Sequence, residues 1–190
     1  MIKSTVITNK SYQGINPVQF GYEDCINGHS FGPAIRTYWL LHYVVSGKGY
    51  FHIKDRKYTL CPGEIFVIPP FVETYYEADS EDPWSYIWVG FNASEEVPLA
   101  FEDVIKLPAA RQIFQDMKQC AHMSAGRTEF LCSKIWLLIS EALNQKEEAL
   151  DYTQQAIMIM ESEYMTDLSV QTIADKLGLT AKKVDNLILA

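Results

Sequence analysis

Thr37-Tyr38-Trp39-Leu40-Leu41-His42-Tyr43-Val44-Val45, followed by Ser46-Gly47-Lys48-Gly49, reads as a β-strand running into a tight turn. Aromatic and β-branched side chains fill the first nine positions, and such side chains fit a pleated surface better than a helix. The same grammar continues downstream. Tyr50-Phe51-His52-Ile53 is a strand, with a turn near Asp55-Arg56 and another strand over Lys57-Tyr58-Thr59-Leu60. After the turn Cys61-Pro62-Gly63, Glu64 to Ile68 forms a strand closed by Pro69-Pro70. Val72 to Ala78 and Ser85 to Phe91 follow, separated by the loop Asp79 to Pro83. Short strands divided by turn residues at this spacing predict a β-sandwich or barrel up to about residue 92.

After about residue 110 the apolar period lengthens. Ile113, Met117 and Cys120 recur at helical spacing, and so do Leu131, Ile135, Leu138 and Ala142. Ser124, Gly126 and Arg127 break the two runs, which predicts a helical hairpin. The polar run Asn144 to Glu148 reads as a linker, and Tyr152 to Tyr164 as a third helix. Asp167 to Thr180 then has the pattern of the first half of a helix-turn-helix. Ser169 can cap a helix, Val170, Ile173, Ala174 and Leu177 give one apolar face, Gly178 can take the left-handed conformation that ends it, and Thr180 can cap the next.

Composition narrows the function classes. Of 190 residues, 48% are hydrophobic, which suits a packed globular chain. The net charge is −8, and an acidic chain repels phosphate rather than attracting nucleic acid by its bulk field. From residue 151 to 190, six acidic residues against three lysines leave −3, so this segment is expected to bind DNA poorly alone. Cys25, Cys61, Cys120 and Cys132 form no Cys-x-x-Cys pair, which argues against zinc and, with no signal peptide, for reduced thiols in the cytoplasm. No apolar run reaches membrane-spanning length. Neither a Gly-rich phosphate loop nor a Gly-x-Ser-x-Gly nucleophile elbow is present, so no enzymatic activity is expected.

Strands, a helical pair and then a helix-turn-helix is an order with a precedent. The chain resembles the AraC family of bacterial transcription regulators. Leu41 to Gly49, Pro62 to Pro70 and Asp82 to Phe91 resemble that family's cupin-type sensor, and Asp167 to Thr180 the start of its DNA-binding domain. The resemblance implies an α+β chain: a cupin-like β-barrel with an N-terminal arm over residues 1–108, a helical dimerisation region and linker over 109–148, and a partial first helix-turn-helix over 149–190. Family members carry two helix-turn-helix units, whereas this chain ends inside the recognition helix of the first, so it is expected to be a fragment. Ala181 to Ala190 departs from the usual aromatic and basic pattern.

Cupin enzymes hold a metal with a His-x-His, a Glu and a later His. Here Thr74 stands where the later His is expected and Leu40 where the Glu would be, and neither is a usual ligand, so no metal or other cofactor is expected. His42 and His52 could face each other across a hairpin. Side chains alternate across a strand, so a barrel with residue 40 inside also points Arg36, Tyr38 and His42 inward; Thr74 with Tyr76, and Tyr86 with Trp88, share the interior on later strands. Aromatic faces pack on the C–H face of a sugar ring, while phenol, imidazole and guanidinium bond its hydroxyls. Arg36, Tyr38, His42, Tyr76, Tyr86 and Trp88 are therefore the candidate ligand-binding set.

The function expected is the ligand-sensing and dimerisation portion of an AraC-type regulator answering a sugar or sugar derivative. The arm around Tyr12 to Cys25 folds over the pocket, the stripe Leu131, Ile135, Leu138 and Ala142 makes the homodimer, and DNA is met only in the full-length protein, through Thr180, Lys182, Lys183 and Asn186. The alternatives are a cupin-type enzyme acting on a small carbohydrate or acid, and an interaction module with a packed, empty barrel.

Overall fold

The computed structural model describes residues 2–99, 101–163 and 168–188. The chain divides into two compact units, residues 1–142 and 143–190.

The first unit holds ten strands: β1 (Ile2–Val6), β2 (Ile15–Asp24), β3 (Ser30–Ile35), β4 (Trp39–Ser46), β5 (Gly49–Ile53), β6 (Arg56–Leu60), β7 (Ile65–Ile68), β8 (Glu73–Ala78), β9 (Ser85–Ala93) and β10 (Val104–Ile105). They form a six-stranded sheet in the order β1-β2-β9-β4-β7-β10 and a four-stranded sheet in the order β3-β8-β5-β6. Neighbouring strands in both sheets are antiparallel. Between the sheets lies an aromatic core that includes Phe51, Phe66, Tyr76, Trp84 and Tyr86. Trp84 stacks on Phe66 at 5.2 Å and lies against Gly49, where a Cβ would fall 2.3 Å from the indole.

The central strands are buried on both faces. In β4, Leu40 through Val44 are all buried, as are Tyr86 through Phe91 in β9. Burial on two faces turns an alternating pattern into a continuous run. Helices cover the outer face. α1 (Ala110–Met117) stacks Phe114 on Tyr43 of β4 at 5.3 Å. A 3-10 turn (Lys118–His122) follows, and after it the break foreseen at Ser124 to Arg127, where Gly126 has φ +69°. The Arg127 guanidinium donates to the carbonyls of Cys120 (2.9 Å) and Met123 (2.6 Å), closing the break. α2 (Arg127–Glu163) then pairs Lys134 with Asp116 of α1 at 2.7 Å.

Four expectations change. The segment Tyr12 to Cys25 is no arm over a pocket: most of it is β2, which pairs along β9 from Ile15↔Ala93 to Asp24↔Ser85 and so occupies an edge that would otherwise be open. Asn144 to Glu148 is no linker: α2 runs through it without a break. After Asn144 the run is Gln, Lys and Glu, all good helix formers, and no Gly or Pro intervenes, so its polarity does not interrupt the helix. The expected third helix is thus the end of α2. The stripe Leu131, Ile135, Leu138 and Ala142 is buried within the single chain, the first three with no exposed surface, and so is not a free dimer face. His42 and His52 do not face each other: His42 lies opposite Phe66 and Trp88 in one sheet, His52 opposite Lys57 and Tyr75 in the other.

The second unit comprises the end of α2 with α3 (Val170–Leu177) and α4 (Ala181–Ile188). Ala156, Ile173, Ala174 and Val184 form its buried centre. Ser169 caps α3 by accepting from the Thr172 amide at 3.1 Å, and Gly178 ends it in the left-handed conformation at φ +66°. The Thr180 hydroxyl accepts from the Lys183 amide at 3.4 Å. Tyr164 and Asp167, the expected end of a helix and start of the motif, lie outside the described residues, as do Leu189 and Ala190.

Candidate functional site

The barrel contains a cavity of about 550 Å³ between the inner face of the six-stranded sheet and strands β3 and β8 of the smaller one. Arg36, Tyr38, His42, Tyr76, Tyr86 and Trp88 all line it. Alternation accounts for four of these: His42 on β4, Tyr86 and Trp88 on β9, and Tyr76 on β8 point inward as strand geometry demands. Arg36 and Tyr38 reach the cavity by another route. They sit in the bend between β3 and β4, outside either strand, and the bend turns them inward.

Two glycines make the space. At Gly21 a Cβ would stand 2.2 Å from Cζ2 of Trp88, so the indole lies where a side chain on β2 would be. At Gly90 a Cβ would meet the Tyr38 ring at 2.9 Å. Both positions are chosen for bare backbone rather than for turn geometry. His42 is the centre of the aromatic lining. It stacks on Phe66 at 4.4 Å with an interplanar angle of 1°, and Tyr76 and Tyr86 each stand 5.1 Å from it.

The polar atoms decide what this lining can bind. Buried polar atoms nearly always have partners, and exceptions need an explanation. His42 is 2% exposed and its Nδ1 has no hydrogen-bond partner, nor does the buried Nη1 of Arg36. The Arg36 guanidinium lies over the Phe31 ring at 4.4 Å, and among the described residues it forms no ion pair. Burial, with the Arg36 charge added, holds the His42 imidazole well below its ordinary value, so it is neutral and can donate or accept. Burial pushes the Tyr76 phenol up to about 12 and the Tyr86 phenol further, so both stay protonated donors. Tyr86 Oη donates to Glu23 Oε2 at 3.1 Å, and His29 Nε2 stands 3.6 Å from the same oxygen. Gln19 Nε2 donates to Tyr38 Oη at 3.1 Å.

Gln19, Glu23, His29 and Phe31 were not foreseen as lining residues. The signal was present: Gln19, Gly21 and Glu23 recur with period two, as one face of a strand does, beside the buried Phe20. Of the two positions read against a cupin metal site, Leu40 lines the cavity, and Thr74 is buried with its Oγ1 unpartnered. Among the described residues, Glu23, Cys25 and His29 bring one donor atom each within 4.8 Å of one another. In the second unit Thr180, Lys182, Lys183 and Asn186 are all exposed; Lys183 Nζ lies 5.0 Å from the Tyr152 ring centre.

Comparison with known proteins agrees with this architecture. The model of the AraC-like ligand binding domain matches residues 16–139. The Msm operon regulatory protein of Streptococcus mutans is 30% identical over 85% of this chain and 65% of its own length. The raffinose operon transcriptional regulatory protein RafR of Pediococcus pentosaceus is 25% identical over 92% of this chain and 70% of its own. The chain thus spans just under two thirds of the first of these relatives. Among solved structures, the protein YhaK from Escherichia coli aligns at a TM-score of 0.46 and 14% identity, covering 56% of this chain and 50% of that one. No described helix is long and apolar enough to cross a membrane. A β-barrel of two antiparallel sheets, its helical cover and the family match across most of that unit converge on one conclusion: this chain belongs to the AraC-like ligand-binding domain family.

Proposed function

We propose that the chain is the effector-sensing portion of a transcription regulator, and that its cavity takes a sugar or sugar derivative. The observation that carries this reading is the pair of residues with unpartnered buried nitrogens, Arg36 and His42, in a cavity whose wall includes Tyr76, Tyr86 and Trp88. An apolar wall with a few convergent polar groups is the ordinary form of a small-molecule site. Arg36 supplies donors and Glu23 an acceptor, so a polyol finds both kinds of partner along one cavity. The relatives' names tie two of them to operons, and one of those to raffinose.

In this reading residues 1–108 are the sensor, helices follow to 142, and residues 143–190, which include the end of α2, carry the helix-turn-helix segment. Thr180, Lys182, Lys183 and Asn186 of the last would meet DNA in the full-length protein. The homodimer forms through the exposed side of α2, where Trp136 and Leu137 are 43% and 46% exposed. Effector binding shifts the regulator only by its differential affinity for two states.

The test is thermal denaturation against a panel of saccharides, with tryptophan fluorescence in parallel. A ligand at a hundred times its dissociation constant adds about 2.7 kcal/mol, a clear rise in melting temperature. The fluorescence of Trp88 should saturate with the same midpoint. A panel of sugars and derivatives that moves neither signal sinks the reading.

One observation favours a second reading, a cupin-type enzyme acting on a small carbohydrate or acid: the Glu23, Cys25 and His29 group, of which Glu23 and His29 line the cavity. Stoichiometric iron, manganese or zinc in protein purified without added metal would turn the choice toward it.

A further inference from the structure

The cavity is uneven along its length. Trp88, Tyr86, Tyr76 and His42 are each buried, with the polar atoms of Glu23 and His29 beside them. Phe31 and Ile35 line the same cavity and yet are 46% and 62% exposed. Apolar side chains left open at the rim of a pocket are the kind of surface that ligand grooves use. Phe31 is also held in place: it stacks on Tyr76 at 5.8 Å with an interplanar angle of 15°, and the Arg36 guanidinium rests on its ring. Tyr76 and Arg36 therefore join the deep part of the cavity to its mouth. At the mouth the apolar ledge of Phe31 and Ile35 is flanked by Thr37, and the Arg36 guanidinium, whose buried Nη1 is unpartnered, rests on the Phe31 ring. At about 550 Å³ the cavity is in the size range of sites for drug-sized ligands, larger than a single sugar ring requires.

We infer that the site has two subsites and that its ligand is an oligosaccharide rather than a free monosaccharide. One sugar ring lies in the deep part against Trp88 and Tyr86, and a second, joined by a glycosidic bond, rests its C–H surface on Phe31 and Ile35 while its hydroxyls meet Arg36. Ring C–H groups need an apolar ledge and ring hydroxyls need donors, and the mouth offers both side by side. A purely apolar aglycone would leave the Arg36 donor unpartnered, which is why the second ring is assigned as a sugar. This inference rests on the saccharide-sensing reading above.

The experiment is calorimetric titration of the whole chain with galactose, lactose, raffinose and an aryl galactoside, in wild type and in Phe31→Ala. Phe31 is half exposed, so the variant keeps the barrel core, and an unchanged melting temperature without ligand checks this. The expected result is at least tenfold tighter binding of lactose or raffinose than of galactose. Phe31→Ala should lose most of that ratio, its lactose and raffinose affinities falling by several times more than its galactose affinity. Equal affinity for galactose and both oligosaccharides would overturn the two-subsite assignment and leave the saccharide reading standing. So would a Phe31→Ala protein that weakens on all ligands alike or on none. An aryl galactoside binding more tightly than lactose would overturn the assignment of a sugar to the mouth. No binding of any of these, together with a silent broad saccharide panel, would overturn both readings at once.

Discussion

The six-stranded sheet has two buried faces with different chemistry. Toward the helices it presents Leu41, Tyr43, Ile65, Val67, Ile87 and Val89, a nearly pure hydrocarbon surface against which Phe114 packs. Toward the cavity it presents His42, Tyr86 and Trp88, one residue along in each strand, with unpartnered nitrogen beside them. A one-residue offset separates a face that only holds the protein together from a face that holds something else. Burial does not distinguish them, since both faces are almost entirely hidden. The polar groups do: the cavity face carries an imidazole, a phenol and an indole that line open space, whereas the other face packs against the helices.

The largest expected effect lies on the helix-covered side. Leu138→Asp places a charge with no partner at a fully buried position and should cost at least about 3 kcal/mol, a fall of roughly 10 °C in melting temperature. Trp136→Asp, two residues earlier on the exposed side of the same helix, should leave the melt almost unchanged and convert a dimer to a monomer by light scattering. A Leu138→Asp protein that melts as wild type does would break the comparison between helix and cavity faces.

A smaller contrast separates neighbours on β9. Val89→Ala should lower stability by about 2 kcal/mol with no change in saccharide affinity. Trp88→Ala should abolish binding, Trp88→Phe should weaken it less, and Gly21→Ala should weaken it because a Cβ would displace the indole. Titrations of the four variants, after each is shown to be folded, decide this. A folded Trp88→Ala protein that binds as tightly as wild type would make the indole mere filling and send the search to Arg36 and His42.

The smallest effect is in pH. His42 is held below its ordinary value of 6.5, so the unfolded chain takes up a proton before the folded one does. Its stabilising contribution is therefore complete above about 6.5 and is lost progressively as pH falls below that. Denaturant midpoints measured from pH 8 to pH 5 should fall in wild type and fall less in His42→Gln, whose amide has no proton to gain. Saccharide affinity should stay flat from pH 8 to 6.5. Identical slopes in the two proteins would show that the imidazole is not held neutral.

Much of the site was legible in the strands. His42, Tyr86 and Trp88 follow from alternation once one interior position is assumed. Arg36 and Tyr38 come from the same reasoning and do reach the cavity, yet a bend carries them there and not a strand. Glu23, His29 and Phe31 were missed because β2 and β3 are divided by Asn27 and Gly28 and look like an arm until their partners are known. The stripe on α2 was visible, but an amphipathic pattern says only that something covers it. Here the same chain does so, and a partner does not.

What the sequence by itself determined was local. Ser169 caps a helix because its own hydroxyl reaches the Thr172 amide, Gly178 ends it because only a residue without a Cβ enters the left-handed region freely, and the aromatic and β-branched runs extend because crowded Cβ atoms favour the pleat. Each interaction spans a few residues, so each is written in a few letters. Only the tertiary structure decided which faces meet. The cavity exists because Gly21 and Trp88, 67 positions apart, share a row of the sheet, and because β3 and β8 stand across from it. Such contacts depend on register and packing summed over the whole barrel, and no short stretch of residues carries that sum.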